Sequence, residues 1–278
     1  MKDCPPQAGQ FRGTEGYDEF PFTADGARRR IFTRGSGPGV VIMHELPGLS
    51  PQCLDLGRRL ACDGFQVFLP LMFGEPGQHS GALGDITRFC LVKEFRAFAS
   101  DQSQPITAWM RALCGEVNTR TGGQGIAVMG LCLSGGLVFA LIAEKSVRAA
   151  VSSEPAVPIP LTADGRSALG ISPEELGDSV ARVEAEGIPL LGLRFSDDWL
   201  CPRERFDRLA LEFSRGFAQP PEVINSDPGN AAGISPRSHS VLTDDFVDEP
   251  GHPTRRAYDR VVGFLKMHLA PLGAPGRR

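Results

Sequence analysis

The 278-residue chain lacks several features that would place it at once. No apolar run approaches the length of a membrane span, so no membrane partner is expected. Residues 1–16 have no apolar stretch of the kind a secretory signal needs, and a cytoplasmic location is the expectation. A basic excess is also missing, since the formal net charge is −4 and the pI is near 5.8. No nucleic acid partner is expected from that balance. The seven cysteines (Cys4, Cys53, Cys62, Cys90, Cys114, Cys132 and Cys201) contain no C-x-x-C pair, so neither a disulfide framework nor a zinc site is suggested. The glycine-rich turn near residue 130 lacks the Lys-Ser/Thr pair of a phosphate loop, and no acidic residue follows at the spacing of a dinucleotide fingerprint. No metal or other cofactor is therefore expected. Internal repeats and dividing linkers are absent as well.

What is present is an ordinary globular composition, 41% hydrophobic and 22% charged, ordered as alternating strands and helices. Residues 1–16 are rich in Pro, Gly and polar groups and read as a flexible tail, followed by one domain over 17–278. Residues 19–33 hold an Ala24-Asp25-Gly26 turn between two short alternating runs, an opening hairpin. Residues 39–43 form a wholly apolar strand of the type buried in a parallel sheet. Ser50 then caps a helix with Pro51 at its first position. A strand at 65–69, a glycine-rich loop at 74–84 and helical stretches at 89–98 and 106–117 follow. Later elements are strands at 147–152, 188–195 and 222–225, a helix begun by Ser172-Pro173-Glu174-Glu175, one over 202–213, and a closing amphipathic helix over 254–269. Such alternation implies a doubly wound, mostly parallel α/β sheet with helices on both faces.

The most informative stretch is Gly130-Leu131-Cys132-Leu133-Ser134-Gly135-Gly136, between the β-branched run 126–129 and an apolar helix pattern over 137–143. Strand, sharp turn and helix with small residues two before and two after the centre describe a nucleophile elbow, where strand and helix approach closely. A thiol at a helix N-terminus sits at the positive end of the helix field, which favours the thiolate. The backbone N–H of Leu133 is then placed to donate to an oxyanion. Ser134 is the rival nucleophile, but that position falls inside the helix.

A thiol nucleophile needs a base and an orienting acid. Acid and histidine follow the nucleophile in the chain order of α/β-hydrolases, each at or after a strand end. For the acid, Asp197 and Asp198 compete; for the base, His239 in Ser238-His239-Ser240 competes with His252.

Taken together, the elbow, His44-Glu45-Leu46-Pro47-Gly48, the Asp198-Trp199-Leu200-Cys201-Pro202 stretch and His239-Ser240-Val241-Leu242 resemble the dienelactone hydrolase family of α/β-hydrolases over about residues 19–269. The resemblance implies a single-domain α/β-hydrolase fold and a cofactor-free carboxylic ester hydrolase. It implies Cys132 as nucleophile, Asp198 rather than Asp197 as acid, and His239 as base. It also implies that Glu45 holds the resting thiol, and that Leu46 supplies the second oxyanion N–H beside Leu133. Family members that act on dienelactone hold its carboxylate with two arginines. Here the matching places read Leu69-Pro70-Leu71-Met72-Phe73-Gly74-Glu75-Pro76 and Thr243, leaving Arg194 and Arg237 as other guanidinium sources. A small neutral ester or lactone, bound by a monomer or weak homodimer, is the expected substrate. Competing readings are a thioesterase or acyltransferase with the same triad, a non-catalytic ligand-binding protein on the same fold, and a redox-sensing thiol.

Overall fold

Among the described residues eight strands form a single sheet, in the order Asp18–Ala24 (β1), Ala27–Gly35 (β2), Gln66–Pro70 (β4), Gly39–Met43 (β3), Ile126–Leu131 (β5), Val147–Ser153 (β6), Leu190–Phe195 (β7) and Glu222–Ile224 (β8). A computed structural model describes residues 13–46, 48–77, 106–156, 163–217 and 221–270. The expected helix at 89–98 and the loop beyond residue 77 lie outside the described residues.

The opening hairpin pairs β1 (Asp18–Ala24) with β2 (Ala27–Gly35), and β2 runs antiparallel to β4 (Gln66–Pro70). Its two-residue turn needs positive φ at both positions, supplied by Asp25 (φ 46°) and Gly26 (φ 70°). From β4 onward every pairing is parallel: β3 (Gly39–Met43), β5 (Ile126–Leu131), β6 (Val147–Ser153), β7 (Leu190–Phe195) and β8 (Glu222–Ile224). Every residue of β3, β5 and β7 is buried, which explains why those strands read as unbroken apolar runs.

Helices cover both faces. On one, α1 (Pro51–Cys62) and the closing helix α7 (Pro253–Leu269) pack Leu54, Leu60, Val261 and Leu265 against Val40, Ile42, Ala127 and Met129. On the other, α2 (Thr107–Arg120), α3 (Leu133–Leu141) and α5 (Pro173–Glu186) set Trp109, Leu113, Phe139 and Val183 against Val41, Met43 and Val128. A five-residue helix α4 (Ala163–Ser167), which no sequence pattern indicated, and α6 (Arg203–Glu212) complete the helices among the described residues. Helix starts follow their local signals. Ser50 accepts from the Cys53 N–H, and Ser172 with Glu175 forms a reciprocal capping box.

Residues 13–16 form a turn tied to α1, with the Arg58 guanidinium donating to the carbonyls of Gly13 (2.7 Å) and Glu15 (3.0 Å). One expectation is revised: Cys62 is disulfide-bonded, which the cysteine spacing did not indicate. Among the described residues no helix is long and apolar enough to cross a membrane.

Candidate active site

The parallel strands β3, β5, β6 and β7 all end at one edge of the sheet, and each end contributes a polar residue. At the end of β5, Cys132 adopts φ 51°, ψ −123°, a conformation that L-residues rarely hold. Its neighbours enforce this turn. The Cys132 N–H donates to the Ser153 carbonyl (3.1 Å), and its own carbonyl accepts from Gly135 (2.9 Å) and Ala156 (3.0 Å). A Cβ on Gly130 would lie 2.3 Å from the Ser134 carbonyl oxygen, so only glycine allows strand and helix to meet. Cys132 remains partly exposed while the residues around it are buried. Leu133 opens α3, where an N–H has no intrahelical acceptor.

Ser134, the rival nucleophile, is buried and committed to structure. Its hydroxyl accepts from Leu131 N–H (3.0 Å) and lies 2.8 Å from the Met43 carbonyl, bridging β5 to β3.

Beyond β7, Asp198 is buried and takes the Leu200 and Cys201 N–H groups on Oδ1 (3.0 and 3.2 Å). Its free Oδ2 meets His239 Nδ1 at 2.7 Å. Asp197 instead faces solvent, anchored through its N–H to the Ser226 hydroxyl. His252 is engaged elsewhere: it is the N-cap of α7 and accepts from Thr254 N–H. The histidine loop is itself braced by Asp245, whose carboxylate accepts from Ser238 Oγ and from the N–H groups of His239 and Ser240.

His239 Nε2 is buried without a completed hydrogen bond, yet the imidazole feels Cys132 directly. Burial opposes charge on the ring, but Cys132 and the Asp198 carboxylate outweigh it and hold the imidazole well above its usual range.

Glu45, at the end of β3, is buried with both oxygens engaged by the histidine loop: Ser240 Oγ donates at 2.7 Å and Thr243 Oγ1 at 2.5 Å. Burial pushes its carboxyl up despite those bonds. Neither carboxylate oxygen is hydrogen-bonded to Cys132, so in this arrangement Glu45 joins the β3 loop to the histidine loop. Thr243, which stands where an arginine was sought, is occupied in doing so. Arg194 is buried against the carbonyls of Cys201 and Ser196 (both 3.0 Å), where it shapes the acid loop, and Arg237 is exposed. Neither is placed to hold a buried anion inside the site.

Two site residues escaped the sequence reading. His44 is buried between the β3 and β4 ends, and Glu154 follows β6. Glu154 has φ 37°, and its Oε2 accepts from Val241 N–H (3.2 Å) and from the Ser153 hydroxyl, while Oε1 is buried without a partner. A positive-φ residue at a strand end has no signature in composition, which is why Glu154 was not singled out, and the role of His44 depends on Met72 from the neighbouring strand. Among the described residues no group of His, Cys, Asp and Glu could hold a metal ion.

The family model of the dienelactone hydrolases matches residues 30–172, more than half of the chain. The chain belongs to the dienelactone hydrolase family. Membership makes it a dienelactone hydrolase-like hydrolase on an α/β-hydrolase fold. By structure it is similar to a Klebsiella pneumoniae protein assigned as a dienelactone hydrolase, at TM-score 0.60 and 14% identity, covering 90% of this chain and 97% of that one. It is also similar to a dienelactone hydrolase-like promiscuous phosphotriesterase from metagenomic libraries (TM-score 0.57, 17% identity, 91% and 98% covered). A Pyrococcus furiosus esterase gives TM-score 0.54 at 17% identity, with 91% and 93% covered. At these identities the likeness is one of fold. No curated protein matches the chain.

Proposed function

We propose that this family member hydrolyses small neutral carboxylic esters or lactones through Cys132, His239 and Asp198, without a cofactor. The observation that carries the reading is the 2.7 Å bond from His239 Nδ1 to buried Asp198, which leaves Nε2 of the same imidazole buried without a partner, together with the strained elbow that holds Cys132. In the proposed reaction the Cys132 thiolate attacks the carbonyl carbon, and the carbonyl electron pair moves to oxygen. The N–H groups of Leu46 and Leu133 receive that oxyanion. On collapse the C–O bond to the alcohol breaks, His239 gives its proton to the departing alkoxide, and a thioester remains on Cys132. His239 then takes a proton from water, the hydroxide adds to the thioester, and the acid leaves with the thiolate restored.

Preference for a neutral substrate follows from the described residues, none of whose arginines is placed to pair a carboxylate in the site. An anionic lactone would bring a carboxylate there without such a partner. Intact mass after brief exposure to a p-nitrophenyl ester, on the native protein and on Cys132→Ala, tests the mechanism. The expected result is nitrophenol release with a transient acyl adduct in the native protein alone. Undiminished turnover by Cys132→Ala would refute it.

A further inference from the structure

We propose that His44 is a positioning residue of the oxyanion hole, aiming the Leu46 N–H by holding the carbonyl of the same peptide. This rests on the reading above, in which Leu46 N–H is one of the two oxyanion donors.

The tautomer follows from the partners. His44 Nε2 lies 3.0 Å from the Met72 N–H, a group that can only donate, so Nε2 carries a lone pair. The ring hydrogen is then on Nδ1, which lies 2.9 Å from the Glu45 carbonyl oxygen and donates to it. Burial pushes His44 down to about 4, with the Arg29 charge acting in the same direction, so the ring stays neutral in the working range.

Peptide planarity carries the consequence. The Glu45 carbonyl and the Leu46 N–H belong to one trans peptide unit and point in opposite directions. A bond that pins the carbonyl toward His44 therefore turns the N–H away from it. Among the described residues that N–H has no hydrogen-bond partner, as a donor waiting for an oxyanion requires. The ring cannot swing, because Phe73 packs edge-on against it at 4.5 Å and 77°. Met72 and Phe73 follow β4, so the exit of one strand sets the loop after its neighbour. Glu45 fastens the opposite side of this short loop to the histidine loop through Ser240 and Thr243. The peptide between Glu45 and Leu46 is thus held through its carbonyl and through the Glu45 side chain before substrate arrives, which is the preorganisation an oxyanion hole needs.

Two substitutions separate the two bonds. In His44→Asn the amide nitrogen takes the place of Nδ1 and keeps the donor to Glu45. In His44→Gln the side-chain head reaches the place of Nε2 and keeps the tie to Met72 while losing that donor. On a p-nitrophenyl ester, His44→Gln is expected to lose on the order of a hundred-fold in kcat with little change in KM, the scale of one oxyanion donor. His44→Asn is expected to keep kcat within about ten-fold of native by retaining the aimed N–H. Equal losses in both variants, or a loss confined to KM, would overturn the proposal. Nitrogen NMR of the native protein labelled at histidine checks the tautomer without any variant: Nδ1–H is expected, and Nε2–H would overturn it. Should His44→Gln keep full kcat while Cys132 still acylates, only this proposal fails. Turnover by Cys132→Ala would instead sink the hydrolase mechanism and leave the tautomer result standing.

Discussion

Replacing Glu154 by Gln should change how the stability of this protein depends on pH, by an amount that follows from the burial of one carboxyl. Burial pushes the Glu154 carboxyl up to about 8, with repulsion from Glu45 adding to it and the His239 charge, the Ser153 hydroxyl and the Val241 N–H opposing. In the unfolded chain a glutamate titrates near 4.5. Between those two values the native state keeps a proton that the unfolded chain has released, so stability falls as pH rises through the window. The slope from this one group is about −1.4 kcal/mol per pH unit, and the whole window amounts to roughly 5 kcal/mol. Glutamine keeps the size and hydrogen-bonding character of the protonated acid but cannot ionise. Denaturant unfolding of both proteins at pH 5, 6, 7 and 8, followed by circular dichroism, isolates the effect, because every other titration largely cancels in the difference. The variant is expected to gain on the native protein by about 4 kcal/mol between pH 5 and pH 8. Parallel stability curves for the two proteins would refute the assignment of Glu154 as a buried neutral acid.

Gly130→Ala would place a Cβ 2.3 Å from the Ser134 carbonyl oxygen and 2.7 Å from Val138 Cγ2, forcing the elbow open. A loss of at least ~1–3 kcal/mol in unfolding free energy is expected, together with slower alkylation of Cys132 by iodoacetamide. Thr243→Val removes the hydroxyl that donates to buried Glu45. It should raise the Glu45 carboxyl further and destabilise the fold by roughly 1–3 kcal/mol, the loss growing toward high pH where the carboxylate needs its donors. Urea unfolding at pH 6 and pH 9 reads both the size and the trend.

Much of the architecture was legible because it is written locally. The apolar runs of β3, β5 and β7 and the caps Ser50 and Ser172 depend on residues at most a few positions apart, and so does the elbow around Cys132. Alternation of strand and helix then implied the parallel sheet, and the family resemblance singled out Asp198 and His239. The short helix α4 escaped because five residues carry too little periodicity to register. Geometry separated the rival residues. Asp197 and Asp198 are adjacent and chemically identical, and only the turn after β7 buries one and exposes the other.

By itself, then, the sequence determined most of the element order, the strained turn at Cys132 and the residues proposed as nucleophile, acid and base. All of these follow from spacing and side-chain type along a short stretch of chain. Tertiary structure alone decided that Glu45 meets Ser240 and Thr243 nearly two hundred residues away, that Glu154 reaches Val241, and that His44 is clamped between Met72 and its own neighbouring peptide. Those contacts depend on which strand ends become neighbours. That neighbourhood is set by burying two apolar faces of one sheet at once, and no local pattern records it.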